Sequence, residues 1–86
     1  MLNIQQKELS ENLFSTLKAQ YPEVDLMEII ESPFEQGSVW MRVYPPADLQ
    51  KKRLFGELAA ELSTDILVEY GCDIIITYVS GSSVVH

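Results

Sequence analysis

Apolar positions near the start of the chain repeat with a helical period. Three leucines recur every four residues, which is typical of one face of an α-helix. They are Leu9, Leu13 and Leu17. Asn3 followed by Gln6 has the pattern of a capping box, and Tyr21-Pro22 stops the repeat because proline disfavours helical geometry in the residue before it. The sequence predicts a helix over about residues 5–20.

The next two segments have the character of strands. Residues 24–31 are β-prone but do not alternate cleanly: Leu26 and Ile30 fall on one side, and Met27 and Ile29 on the other. Residues 32–37 contain Pro and Gly and are typical of a loop. Residues 38–44 then alternate regularly. One side carries Val39, Met41 and Val43, and the other carries Trp40, Arg42 and Tyr44.

The remaining pattern predicts a second helix and a third strand. A broad apolar stripe indicates a helix over residues 47–70, which Ser63-Thr64-Asp65 could kink or split and which Gly71 ends. Residues 73–79, DIIITYV, are apolar on both sides and predict the central strand of the sheet. Residues 80–86 predict a flexible tail. A right-handed crossover would make the last two strands parallel.

These elements predict an α+β fold in a single domain, residues 1–79. We expect a two-layer αββαβ sandwich in which two helices cover one face of a three-stranded mixed sheet. The other face then carries too many apolar side chains for a solvated surface, which is typical of an interface. The predicted interface residues are Met27, Ile29, Trp40, Tyr44, Ile75 and Val79. A sheet-to-sheet homodimer would cover them; alternatively, the first helix covers this face, or one strand register differs by a residue.

Composition changes this picture in one respect. The chain has 86 residues and a net charge of −7, but its charge is uneven: residues 36–53 hold four bases and one acid. The four bases are Arg42, Lys51, Lys52 and Arg53. They could form an anion site, or they could be surface cations paired with the thirteen acids. Because the net charge is negative, we expect neither membrane binding nor nucleic-acid binding.

The sequence contains no recognisable catalytic, metal or cofactor motif. Cys72 and His86 are its single cysteine and single histidine, so neither a disulfide nor a nucleophile–histidine pair is predicted. Acids at every fourth position, from Glu57 to Glu69, indicate a solvated helix face. We therefore expect no enzymatic activity, no metal and no cofactor. No segment has the pattern of a membrane span or signal peptide, which predicts a cytoplasmic protein.

The αββαβ order resembles that of KH-like (type II) domains and of BolA-like proteins, and the run from Leu58 to Thr64 is similar to the corresponding BolA helix. The resemblance implies a topology, since the chain has no GxxG loop and no histidine in residues 72–79. Three functions follow as hypotheses. The first is a non-enzymatic protein-interaction or regulatory module, homodimeric through its sheet. The alternatives are a KH-like RNA- or ribosome-associated accessory protein and a small enzyme with its site at a dimer interface.

Overall fold

The computed structural model describes residues 2–35 and 37–79, and the predicted flexible tail lies outside them. Five elements follow one another in the described chain. They are α1 (Ile4–Gln20), β1 (Asp25–Glu31), β2 (Val39–Tyr44), α2 (Leu49–Tyr70) and β3 (Ile74–Tyr78). The α+β class and the αββαβ order predicted from the sequence are confirmed. None of the helices in this part of the chain is long and apolar enough to cross a lipid bilayer.

Local hydrogen bonds explain where the helices begin and end. The Asn3 side chain accepts a hydrogen bond from the Gln6 N–H at 2.7 Å, and the Gln6 side chain accepts one from the Asn3 N–H at 3.0 Å. This is the predicted capping box. Asp48 caps α2 in a similar way, since its carboxylate accepts from the Lys51 N–H at 2.9 Å. Gly71 ends α2 at a positive φ of 68°, a conformation that favours glycine.

β2 is the central strand of the sheet, with β1 antiparallel on one side and β3 parallel on the other. The prediction that the third strand is central was wrong. A strand that is apolar on both sides can also lie at an edge, provided that something covers one side. The predicted parallel pairing of β2 with β3 is confirmed.

The strand register separates the sheet into two sides. Val39, Met41 and Val43 of β2 are completely buried, and they form one cluster with leucines of α1 and with Phe55 and Ala59 of α2. We call this the core-facing side. The alternate β2 residues, Trp40, Arg42 and Tyr44, are half-buried and point to the other side, which we call the outer side.

A β-bulge between Leu26 and Glu28 shifts the register of β1. Beyond it Ile29 lies opposite Met41 and packs against the core, while Ile30 lies opposite Trp40. The sequence assigned these two isoleucines to the reverse sides. The assignment failed because one extra residue in a strand exchanges the sides of all residues that follow it.

Candidate interaction surface

The outer side of the sheet is organised in two cross-strand rows. In the first row, Trp40 has Ile30 of β1 on one side and Ile75 of β3 on the other. In the second row, Arg42 lies between Glu28 and Thr77. Tyr44 ends β2 beyond these rows. The outer side therefore consists of an apolar row, a polar row and, at one end, Tyr44 opposite Asp25, whose carboxylate lies 3.4 Å from the Lys18 ammonium.

Phe34 extends the apolar row beyond the sheet. Its ring meets the Trp40 ring edge-on, with 5.9 Å between centroids, although Phe34 itself is 87% exposed. The Ser32 hydroxyl accepts hydrogen bonds from the backbone N–H groups of Phe34 and Glu35, each at 3.2 Å. These bonds hold the β1–β2 loop so that Phe34 stands against Trp40. The result is a large apolar side chain that is presented to solvent rather than buried.

The two charges of the polar row neutralise each other. Arg42 donates a hydrogen bond from Nη1 to Glu28 Oε2 at 2.9 Å, and both side chains are about one-third exposed. The Arg42 guanidinium also lies 5.4 Å from the centre of the Trp40 ring, within range of a cation–π contact. Beside it, the Thr77 hydroxyl is buried and has no hydrogen-bond partner within the described residues. The row thus carries no net charge at the centre of the outer side.

The structure brings together part of the predicted interface. Trp40, Tyr44 and Ile75 lie on the outer side, and alternation carries Val79 there just beyond the end of β3. Met27 lies at the bulge and is 45% exposed, whereas Ile29 belongs to the core-facing side.

Sequence reasoning missed Ile30, Phe34 and Thr77. Ile30 was missed because no residue in β1 signals the bulge. The adjacent loop does contain a signal for Phe34, because a large apolar residue in a polar turn is unusual.

The four basic residues do not form one site. Arg42 is on the outer side, whereas the Lys52 ammonium lies 5.4 Å from the ring of Tyr78, which belongs to the core-facing side. Lys51 lies 3.9 Å from a carboxylate oxygen of Glu23, and Arg53 lies 3.9 Å from one of Glu57, its neighbour one turn along α2. The hypothesis of an anion site therefore has no supporting geometry in this structure.

A site for acid–base chemistry needs a cleft that encloses an acid and a base. A cleft of about 250 Å³ between α2 and β3 is lined by Gly56, Ala59, Ala60, Ser63, Ile76 and Tyr78. A groove of about 260 Å³ between the helices includes Asn12, Thr16, Asp65, Glu69 and Tyr70. Among the described residues, no carboxylate is buried, and no three His, Cys, Asp or Glu side chains are placed to hold a metal ion. Neither cleft assembles an acid–base pair in an enclosed space.

Burial shifts two titratable groups. It raises the pKa of the Cys72 thiol, and the neighbouring Asp73 charge raises it further. Burial also raises the pKa of the Tyr78 hydroxyl. Both shifts favour the neutral form, so they make the thiol and the phenol less nucleophilic at neutral pH.

Comparison of the chain with known proteins finds no matching family model, no similar curated protein and no similar solved structure.

Proposed function

We propose that the protein is a non-enzymatic interaction module that forms a homodimer by packing the outer sides of two sheets together. One observation carries the proposal: Trp40, Arg42 and Tyr44 occupy alternate positions of the central strand and so share the outer side. Tryptophan, tyrosine and arginine are the residue types that most often dominate the binding energy of protein interfaces. A cytoplasmic location remains a prediction from the sequence.

The electrostatics of the outer side support its burial against another protein. Burying an unpaired charge is costly, whereas Arg42 already has a carboxylate partner in Glu28 and an aromatic partner in Trp40. The residues in the row beside them, Ile30 and Ile75, are uncharged. Two copies that each carry a net charge of −7 repel one another least where the facing surfaces are neutral.

A second copy also suits the size of this domain. A chain of 86 residues buries a modest share of its surface, so a dimer that hides apolar side chains adds needed stability. Strands about 4.8 Å apart and residues about 3.3 Å apart give the outer side a plan area of roughly 250 Å². Specific interfaces bury about 800 Å² per partner. We therefore expect a weak dimer, with a dissociation constant in the micromolar range.

Sedimentation and tryptophan fluorescence test the proposal together. Trp40 is the only tryptophan in the chain, so its emission reports directly on the outer side. Between 1 and 500 μM we expect the sedimentation coefficient to rise and the emission maximum to move to shorter wavelength. A sedimentation coefficient that rises while Trp40 emission stays constant would place self-association elsewhere and contradict the proposal. A chain that stays monomeric throughout this range would also contradict it.

Two variants locate the contact. Trp40→Ala removes the central ring, and Phe34→Ser removes a ring that is 87% exposed. Each should weaken the sheet-to-sheet contact at least tenfold. The matched control is Tyr70→Ala, which removes a half-exposed ring at the end of α2, away from the outer side. Equal effects of all three substitutions would contradict the proposed contact.

A further inference from the structure

One edge of the sheet is unpaired in the described part of the chain. The Val39 N–H donates to the Asp73 carbonyl at 2.8 Å, and the Val79 N–H donates to the Val43 carbonyl at 2.9 Å. In a parallel pair, alternate residues of a strand bond to the same neighbour, so residues 75 and 77 also face β2. The N–H and C=O groups of Ile74, Ile76 and Tyr78 consequently point away from the sheet. No strand of residues 2–35 or 37–79 meets them.

The two edges of the sheet differ in how they resist pairing with another chain. β1 carries a bulge and three carboxylates, those of Asp25, Glu28 and Glu31. Bulges and charges are the usual devices by which proteins protect an edge strand. β3 has the sequence IIITY, with no charge and no register irregularity against β2. Among the described residues, these devices are therefore present at the β1 edge and not at the β3 edge.

The space beside β3 can accept an added strand. α2 presents Gly56, Ala60 and Ser63 along the cleft that ends at Ile76 and Tyr78. All these residues are uncharged, and those of α2 are small. The cleft volume of about 250 Å³ leaves room for the side chains of a strand that pairs with β3.

We propose that a second copy of the chain adds its own β3 antiparallel to this edge, about a twofold axis at Ile76. Ile74 then pairs with Tyr78 of the second copy, and Ile75 with Thr77 of the second copy. Each is a pair of β-branched residues or of a β-branched with an aromatic residue, which are favourable cross-strand combinations. The strand is thus complementary to itself, and the product is one six-stranded sheet.

Charge complementarity also indicates a second copy as the occupant. The first turns of α2 hold Lys51, Lys52 and Arg53, whereas four acids follow between Glu57 and Glu69. The twofold axis sets the two α2 helices side by side in opposite directions. The basic end of each helix then lies nearest the acidic part of the other.

This inference goes beyond the proposed function, because the edge and the outer side are different surfaces. Both contacts are isologous, and with their twofold axes crossing at right angles they close an assembly of four chains in which two six-stranded sheets face each other. Loss of either contact leaves a dimer, and loss of both leaves a monomer. The two proposals can therefore fail separately.

Semisynthesis gives a selective test of the edge. Gly71 precedes the single cysteine, Cys72, so a thioester of residues 1–71 can be ligated to a synthetic peptide of residues 72–86. A peptide with an N-methyl group on Ile76 removes one edge donor and leaves the bonds between β3 and β2 intact. The unmethylated ligation product is the matched control.

Sedimentation of four chains distinguishes the two contacts: chains with Trp40 or with Trp40→Ala, each with and without the N-methyl group on Ile76. Circular dichroism checks that each chain is folded. In the Trp40→Ala background, the unmethylated chain should dimerise, and N-methylation should raise its dissociation constant at least tenfold. A Trp40→Ala chain that is monomeric at 500 μM overturns the edge contact and leaves the proposed function standing. With Trp40 intact, an N-methylated chain that still dimerises identifies the outer side as the second contact. If that chain is monomeric while its unmethylated counterpart dimerises, the proposed function fails and the edge contact stands.

Hydrogen exchange provides a second test on the unmodified chain. The amides of Ile76 and Tyr78 should exchange at least tenfold more slowly at 500 μM than at 5 μM, because only a second copy protects them. The amides of Ile75 and Thr77, which bond to β2, serve as internal controls. Protection of Ile76 that does not change with concentration overturns the proposal, since a segment of the same chain would then cover the edge. Absence of protection at both concentrations overturns it as well.

Discussion

Among single residues, Cys72 and Tyr78 show how burial controls chemistry in this molecule. Cys72 is 6% exposed beside the Asp73 carboxylate, and Tyr78 packs its ring 6.1 Å from that of Phe55. Both groups have a pKa above the ordinary values, which are 9.0 for the thiol and 10.0 for the phenol. The folded chain therefore keeps both protons to a higher pH than the unfolded chain does. At neutral pH neither group affects the pH dependence of stability.

This difference predicts a loss of stability in alkali. Because the folded state binds more protons than the unfolded state once the pH passes 9, the free energy of unfolding falls as the pH rises further. Cys72 accounts for the first part of the fall, and Tyr78 contributes above pH 10. Urea unfolding between pH 7 and 10.5 should show a smaller decline for Cys72→Ala than for the unsubstituted chain. Parallel curves for the two proteins would mean that the thiol does not titrate differently on unfolding.

At the scale of elements, the sequence predicted every helix and strand to within two residues at each end. Capping residues, prolines and Gly71 determine where the elements begin and end, so the local sequence pattern was sufficient to predict their bounds. α2 runs unbroken through Ser63-Thr64-Asp65, where the sequence allowed a kink or a split. The Ser63 hydroxyl bonds to the Ala60 carbonyl at 3.1 Å within the helix, and the flanking Leu62 and Ile66 pack against the core. Tertiary contact here outweighs weak helix propensity.

The sides of β1 and the central position of β2 were not predictable in the same way. Ile29 and Ile30 are chemically identical, and only the bulge decides which of them reaches the core. The order of the strands depends on which strand edges meet when the whole chain folds. No single residue of β3 indicates whether β3 lies at the centre or at an edge. The same bulge explains which predicted interface residues lie on the expected side of the sheet. Trp40 and Tyr44, in the regular strand β2, lie there, whereas Ile29 does not.

The start of α2 gives a prediction at the same scale. Three cations near its N-terminus face the positive end of the helix dipole, and the Asp48 carboxylate is the capping group that offsets them. Asp48→Ala should lower the free energy of unfolding by about 1 kcal/mol, the usual cost of losing an N-cap. Asp48→Asn should cost less, because the amide oxygen can still accept the Lys51 N–H. Urea denaturation at pH 7 measures both, and equal losses would show that the charge, not the hydrogen bond, stabilises the helix start.

For the whole molecule, the structure places one buried cluster on one side of the sheet and leaves a second set of large side chains on the other. The cluster joins both helices to β2, so the helices have no further apolar side to offer the outer side beyond scattered residues. The net charge of −7 disfavours association in general. Association is therefore expected where charge is neutralised or missing, and those places are the outer side and the β3 edge.

Self-association at these surfaces should make thermal stability depend on protein concentration. A contact that forms only between folded chains stabilises them by mass action, so the midpoint of thermal unfolding rises with protein concentration. The midpoint of a monomer does not depend on concentration. In a domain of this size about 1 kcal/mol corresponds to roughly 4–8 °C in Tm. Calorimetry at 5 and 500 μM should therefore give midpoints that differ by about 5 °C or more. The difference should shrink for Trp40→Ala, persist for Tyr70→Ala, and vanish when Trp40→Ala is combined with N-methyl Ile76. A constant midpoint in the unsubstituted chain would contradict both contacts together, because neither could then be populated at micromolar concentration.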